Sequence, residues 1–263
     1  ASDWSSDVCS SDLNNDTITG TITNSNTGTI YSAATNLVGA ITNNGIMTLE
    51  GGSTQGDISG NGRTIISDTV TLNHSIQGNT IELNENTTLA LRNDATLSTS
   101  TLEAHGGTVD TLNNTTEARD IGQVDLSNGS VNWKMDIDLA AETSDTFTGS
   151  VSANNNNNII ISKINVLTDA LKMSLDVQIT ESDTLKTNIK LDESITFVNG
   201  PTENYLVAYV NNSGTLSFSF AGLPDAVKSN ANDKVYTMSI DENINTDLGL
   251  LGGGDNASLV ING

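Results

Sequence analysis

The feature that most limits what this chain can fold into is a repeat. Isoleucines recur at positions 22, 41, 58 and 76, within Gly20-Thr-Ile22, Gly39-Ala-Ile41, Gly56-Asp-Ile58 and His74-Ser-Ile76, at spacings of 19, 17 and 18. A second apolar position trails each of them, at Ile30, Leu49, Ile66 and Leu83, with offsets of 8, 8, 8 and 7. Turn formers lie between the two tracks: Asn24-Ser25-Asn26, Asn43-Asn44-Gly45, Gly60-Asn61-Gly62 and Gly78-Asn79. Apolar and Thr residues alternate within each track, as in Thr17-Ile18-Thr19 and Thr21-Ile22-Thr23. That is the period of a strand. The stretch has no i, i+3, i+4 stripe, and β-branched and turn residues dominate it, which argues against helix.

A strand this short cannot bury its face alone. A coil of about 18 residues, holding two or three such strands, must stack on the next coil, with Ile over Ile inside and Asn over Asn along the turns. The expected fold is therefore all-β, a parallel β-solenoid (β-helix) over residues 14–129. Roughly six coils at ~4.8 Å each give a rod near 30 Å long. Its expected core is Ile22, Ile41, Ile58 and Ile76 with Ile30, Leu49, Ile66 and Leu83.

The period blurs after residue 84, and from Val131 the pattern changes. Val131-Asn-Trp133-Lys-Met135-Asp-Ile137-Asp-Leu139 alternates strictly, and five Asn at 154–158 read as a solvated turn. Ile159–Ile161, Ile195–Val198, Tyr205–Val210 and Thr215–Phe220 read as further strands, the last two pairing across Asn211–Gly214 as a hairpin. Leu167–Leu175 and Leu223–Lys228 are each expected to hold one helical turn. Residues 130–263 thus form a less regular β-rich region.

Two resemblances add to this reading. Ala1–Leu13 reads ASDWSSDVCSSDL and holds the only cysteine, Cys9, and one of the two Trp, Trp4. From Asp3 to Leu13 it resembles a common sequencing-library adapter translated in one frame, which implies residues 1–13 without a fold and no redox meaning for Cys9. A signal peptide would need a basic and then an apolar stretch, and neither is present. Farther on, the strand ending in Asp138-Leu139, then Ser144-Asp145-x-Phe147, an Asn-rich turn and Ile159–Val166, resembles the C-terminal part of passenger regions in Gram-negative autotransporters. The Gly-x-Ile and Asn-Asn-Gly units of the front half resemble those passengers too. The resemblance implies a β-helical passenger displayed outside the outer membrane, here a fragment cut at both ends. A translocator barrel is expected in the missing C-terminal part, since such barrels need aromatic girdles and aromatics are 4% of this chain.

Composition excludes several classes. Asp and Glu outnumber Lys and Arg 32 to 10, for a net charge of −22. Neutralising phosphates needs Lys and Arg, so nucleic acid is not an expected partner. No run approaches the ~18 apolar residues of a membrane-spanning helix. One cysteine provides neither a disulfide framework nor a Cys-rich zinc site.

Candidate chemistry is sparse. His74 and His105 are the only histidines, and neither has a G-x-S-x-G elbow for a nucleophile. Asp136, Asp138 and Asp145 are the best acidic cluster. Asp136 and Asp138 lie two apart, so alternation puts them on one face with Lys134. A neutralised, solvent-facing strand is the expected role, weak calcium binding the alternative, and paired-acid glycoside chemistry a third. Leu251-Gly-Gly-Gly-Asp255 resembles one calcium-binding RTX unit, but such units work in tandem. The acceptor patterns at Asn86, Asn114, Asn211 and Asn256 are expected by chance in an Asn- and Thr-rich chain. Catalytic residues and cofactors are therefore expected to be none. The expected function is a non-enzymatic surface or secreted passenger stalk, adhesin-like, contacting glycans or proteins on host or neighbouring-cell surfaces. A β-helix carbohydrate-active enzyme and a surface-layer or fibre component are the alternatives.

Overall fold

The computed structural model describes residues 4–6, 10–13, 17–33, 36–168, 174–198, 205–210, 213–220, 235–239 and 258–262. The chain winds as a parallel β-solenoid, each coil giving strands to two or three sheets. The first sheet has four strands: Trp4–Ser6, Ile22–Asn24, Ile41–Asn43 and Ile58–Ser59. The second has eight, running from Ser10–Leu13 to Thr146–Ala153. The third has ten, running from Thr17–Thr19 to Ile189–Val198, with Thr143–Ser144 pairing antiparallel beside the main path. Apart from these sheets, Ser174–Gln178, Tyr205–Val210 and Thr215–Phe220 make an antiparallel sheet in which the last two form the expected hairpin pair.

Register follows the repeat. Ile22 stands opposite Ile41, Ile41 opposite Ile58, and Ile58 bridges Ile76; none of the four is more than 2% exposed. In the second sheet Leu49, Ile66 and Leu83 stack in turn, all buried. Ile30 departs from the predicted track: it is buried opposite Met47, and Ser32 stands opposite Leu49. The turn between Asn24 and Thr29 is longer by two than the turn between Asn43 and Ile46. A shift of two keeps the inward parity but moves the chain one inward position along.

Close stacking at the turns selects glycine. A Cβ on Gly45 would lie 2.2 Å from the Gly28 carbonyl oxygen, and one on Gly62 would lie 2.4 Å from that of Gly45. Any side chain in this column would force the coils apart, so Gly28, Gly45 and Gly62 lie over one another.

The coils widen along the rod. Ile46 pairs with Arg63, Thr80 with Thr101, Val131 with Ile159, and Ile159 with Ile189, so the stretch of chain between paired positions lengthens steadily. The change of pattern at Val131 is thus no break in the sheets: Val131–Asp138 and Ile159–Val166 extend the third sheet directly. A wider interior needs larger side chains. Trp133 and Phe147 meet there with ring centroids 4.6 Å apart, and Arg119, 1% exposed, sits opposite Phe147 in register.

One expectation is corrected. Residues 1–13, predicted to have no fold, include Trp4–Ser6 paired parallel with Ile22–Asn24 and Ser10–Leu13 paired with Thr29–Ser32. An open sheet edge offers unpaired backbone groups that an extended segment can meet whatever its side chains. Of Leu167–Leu175, where one helical turn is expected, Leu167 and Thr168 form a bend and Ser174 and Leu175 open Ser174–Gln178, while 169–173 lie outside the described residues. So do 223–228 and 251–255. One helical turn stands instead at Asp183–Lys186, burying Leu185. Among the described residues no helix is long and apolar enough to cross a membrane.

Candidate functional site

Three polar assemblies stand out: one inside the narrow coils, one at the corner of the wide coils, and one on the outer faces.

The first is a buried amide ladder. Asn24, Asn43 and Asn79 are all 1% exposed or less. Asn24 Nδ2 donates to Asn43 Oδ1 at 2.8 Å and to the Ile46 carbonyl at 2.9 Å. Asn43 Nδ2 donates to Asn79 Oδ1 (3.0 Å), Thr64 Oγ1 (3.1 Å) and the Arg63 carbonyl (3.0 Å). Thr64 Oγ1 also donates to Asn79 Oδ1, at 3.0 Å. These asparagines were expected in the turns. A signal was available: Asn24 follows Ile22 by two and Asn43 follows Ile41 by two, so each shares the inward face of its isoleucine.

The second assembly is where the acidic trio was expected, and it differs from that expectation. Asp136 is fully buried although it lies on the outward parity of its strand. The chain after Thr111 and the turn before Asp145 fold over that face. Asp136 Oδ2 accepts the backbone N–H groups of Asn113 (2.6 Å) and Asn114 (2.9 Å), and its Oδ1 accepts from Asn165 Nδ2. Asp145, also fully buried, accepts from Thr111 Oγ1 (2.6 Å) and from the N–H groups of Asp136 and Glu117 (3.0 Å each). Burial pushes the Asp145 carboxyl up to about 6 against the pull of those three donors, and the nearby Asp136 charge adds to the rise. The pair ties three successive coils together.

Asp138 alone of the trio is not buried. Its carboxylate accepts the Thr168 hydroxyl and the Ala141 N–H, which hold it below the ordinary carboxylate range. Lys134 does not neutralise Asp136; it reaches Asp110 at 3.4 Å, which also binds Arg92 at 3.1 Å. The trio therefore does not make the calcium site considered for it, because the oxygens of Asp136 and Asp145 are already taken by protein donors. Among the described residues no group of three His, Cys, Asp or Glu side chains is placed to hold a metal. His74 is exposed in a bend, and His105 ends the strand Thr101–His105 opposite Asn84.

The third assembly is the outer surface. On the second sheet Glu82, Glu103 and Asp125 stack in one column. Arg63 bridges the first two at 2.6 and 2.5 Å. Burial raises the Glu82 carboxyl, but the Arg63 and Asn84 hydrogen bonds and the charges of Arg63 and His105 bring it below the usual range. On the third sheet Thr69, Thr88, Thr108 and Asn132 form one column across four coils, and Asp110, Lys134 and Lys163 form another. The lysine stack was missed because the two residues are far apart in sequence, and only the register unites them. Comparison with family models, with curated proteins and with solved structures finds no match for this chain.

Proposed function

We propose that the chain is a non-enzymatic surface stalk with adhesin-like outer faces, of the autotransporter passenger type and displayed outside the cell. The observation that carries the reading is the polar column of Thr69, Thr88, Thr108 and Asn132 on a continuous parallel sheet. Over these four coils the face offers a hydroxyl or an amide at each step, ~4.8 Å apart. Repeated weak contacts of this kind suit surface glycans or proteins, and gain strength through copy number. The rod form suits a spacer. The buried acids support the non-enzymatic part, since their oxygens serve the coil junction.

The test uses the purified chain. It is offered pectin, other polyuronates and peptide substrates with and without calcium, and beads coated with it are tested for adhesion to cells. No turnover together with density-dependent adhesion is expected. Turnover that Asp138→Asn abolishes would replace the adhesin by the enzyme. Asp138 is the suitable position because Asp136 and Asp145 are built into the fold. Neither turnover nor adhesion would leave the spacer role alone.

A further inference from the structure

We infer that the outer face of the wide coils binds a linear carboxylated glycan through Lys134, Lys163 and Lys190. The inference rests on the adhesin reading for its setting and names the ligand class.

The argument begins with how the chain places its few cations. Arg63, Arg92, Arg119, Lys134 and Lys186 each reach an acid: Glu82 and Glu103, Asp110, Glu117, Asp110 and Asp183. Lys163 and Lys190 have no ion pair among the described residues, although acids outnumber bases 32 to 10. These two lie on adjacent strands of one sheet. Lys163 stands opposite Lys134 in register, and Lys190 stands opposite Ile160, which is itself opposite Asn132. The sheet is irregular between Ile161 and Lys163, so Lys163 is the next outward position after Ile160 once that irregularity is passed. Lys190 lies on the strand next to Lys163, where Lys163 itself stands opposite Thr196, six residues on from Lys190.

Like charges directly opposite on a sheet are destabilising. An acid in the column relieves such a clash, and the same column does so one coil earlier, where Asp110 lies between Arg92 and Lys134. Among the described residues no ion pair does the same for Lys163 or Lys190, although Asp192 follows Lys190 by two on the same strand. An external anion that spans the two columns would relieve the repulsion.

The spacing selects a polymer with one charge per repeat. Lys134 and Lys163, opposite each other on successive coils, are ~4.8 Å apart, about the length of one sugar unit, so neighbouring uronate carboxylates can meet those two coils, with Lys190 farther off on the next strand. The hydroxyl of Thr108 and the amide of Asn132, in the adjoining column, suit sugar hydroxyls. The rest of the acidic surface is felt weakly, because screening acts over ~8 Å at physiological salt. A nucleic acid, with its denser charge, would need more than three lysines to offset that surface.

The experiment measures binding of the full chain to polygalacturonate, heparin, duplex DNA and neutral dextran in calcium-free buffer of about 50 mM salt. The expected result is polygalacturonate and heparin, both linear carboxylated glycans, preferred over DNA and dextran, with affinity falling as salt rises. K163Q/K190Q should weaken binding by about tenfold or more, and K186Q should leave it unchanged. Both lysines of the double variant lie on the outward face, so its circular dichroism should match the parent. Undiminished binding by K163Q/K190Q, no binding to polygalacturonate, or DNA bound as tightly would overturn the inference. Cell adhesion of coated beads separates the two readings. Adhesion that K163Q/K190Q retains, with no polygalacturonate binding, sinks the glycan site and leaves the adhesin. Polygalacturonate binding without adhesion keeps the site and removes the adhesin.

Discussion

Replacing Asn43 by Asp exchanges one NH2 group for an oxygen and leaves volume and shape nearly alone. The test therefore separates hydrogen bonding from packing. Asn43 is fully buried, and its amide hydrogens serve the Arg63 carbonyl, Thr64 Oγ1 and Asn79 Oδ1 at 3.0, 3.1 and 3.0 Å. Asn43→Asp removes both amide hydrogens and, while neutral, returns one on its carboxyl O–H. Thr64 keeps its bond to Asn79, but the Arg63 carbonyl loses its amide donor and Asn79 Oδ1 loses one of two. The single O–H can serve either the Arg63 carbonyl or Asn79 Oδ1, and an unmet buried polar group costs about 1–3 kcal/mol, so the neutral form should be about 1–3 kcal/mol less stable than the parent. Ionisation adds to that, because the new carboxylate would face acceptors away from water. Its folded pKa is therefore raised above the ordinary ~3.9. A raised acid loses stability as pH climbs from the unfolded value through the folded one. The gap between parent and variant should be smallest below about pH 4 and should widen towards pH 7, by about 1.4 kcal/mol for each pH unit that separates the two values. Urea unfolding followed by circular dichroism at about pH 3.5, 5 and 7 measures it. Asn44→Asp, one residue on and half-buried, serves as the control. Backbone pairing joins each coil only to its neighbours, so the loss is local first, and amide exchange over residues 22–79 reads it directly. A gap under about 1 kcal/mol at pH 7, or one independent of pH, would refute the reasoning.

Asp145→Asn removes a carboxyl raised to about 6. The parent should lose about 3 kcal/mol between pH 4 and 7 that the variant does not, so the variant's deficit in urea unfolding should shrink by that amount; a constant deficit would count against an ionising Asp145. Gly62→Ala should cost about 1–3 kcal/mol through overpacking, since the new methyl would lie 2.4 Å from the Gly45 carbonyl oxygen. Gly129→Ala, whose nearest neighbour would be 3.2 Å away, should cost less by the same thermal-melt comparison. Deleting residues 1–13 should reduce amide protection in Ile22–Asn24 and Thr29–Ser32 and leave it unchanged from Ile58 onward. Loss of protection along the whole rod would mean that the first strands hold up more than their neighbours.

The sequence by itself carried the repetitive part of the fold. Ile22, Ile41, Ile58 and Ile76 recur at nearly the length of one coil, and their neighbours alternate with period two. Local alternation and coil-length spacing together admit little but stacked short strands. The inward place of Asn24 and Asn43 was legible by the same parity, although their residue type pointed to turns. Other features waited for the tertiary structure. Ile30 changed columns because a longer turn before Thr29 moved the register without altering the pattern. Asp136 reads as an outward residue from alternation alone, and it is buried because the chain at Asn113 and Asn114, an excursion of the preceding coil, folds across it. Lys134 and Lys163 became neighbours only when the wide coil between them closed. In each case the deciding quantity was the length of the turns between strands. Turn length sets which residues meet across coils, and it leaves no trace in the alternation within a strand.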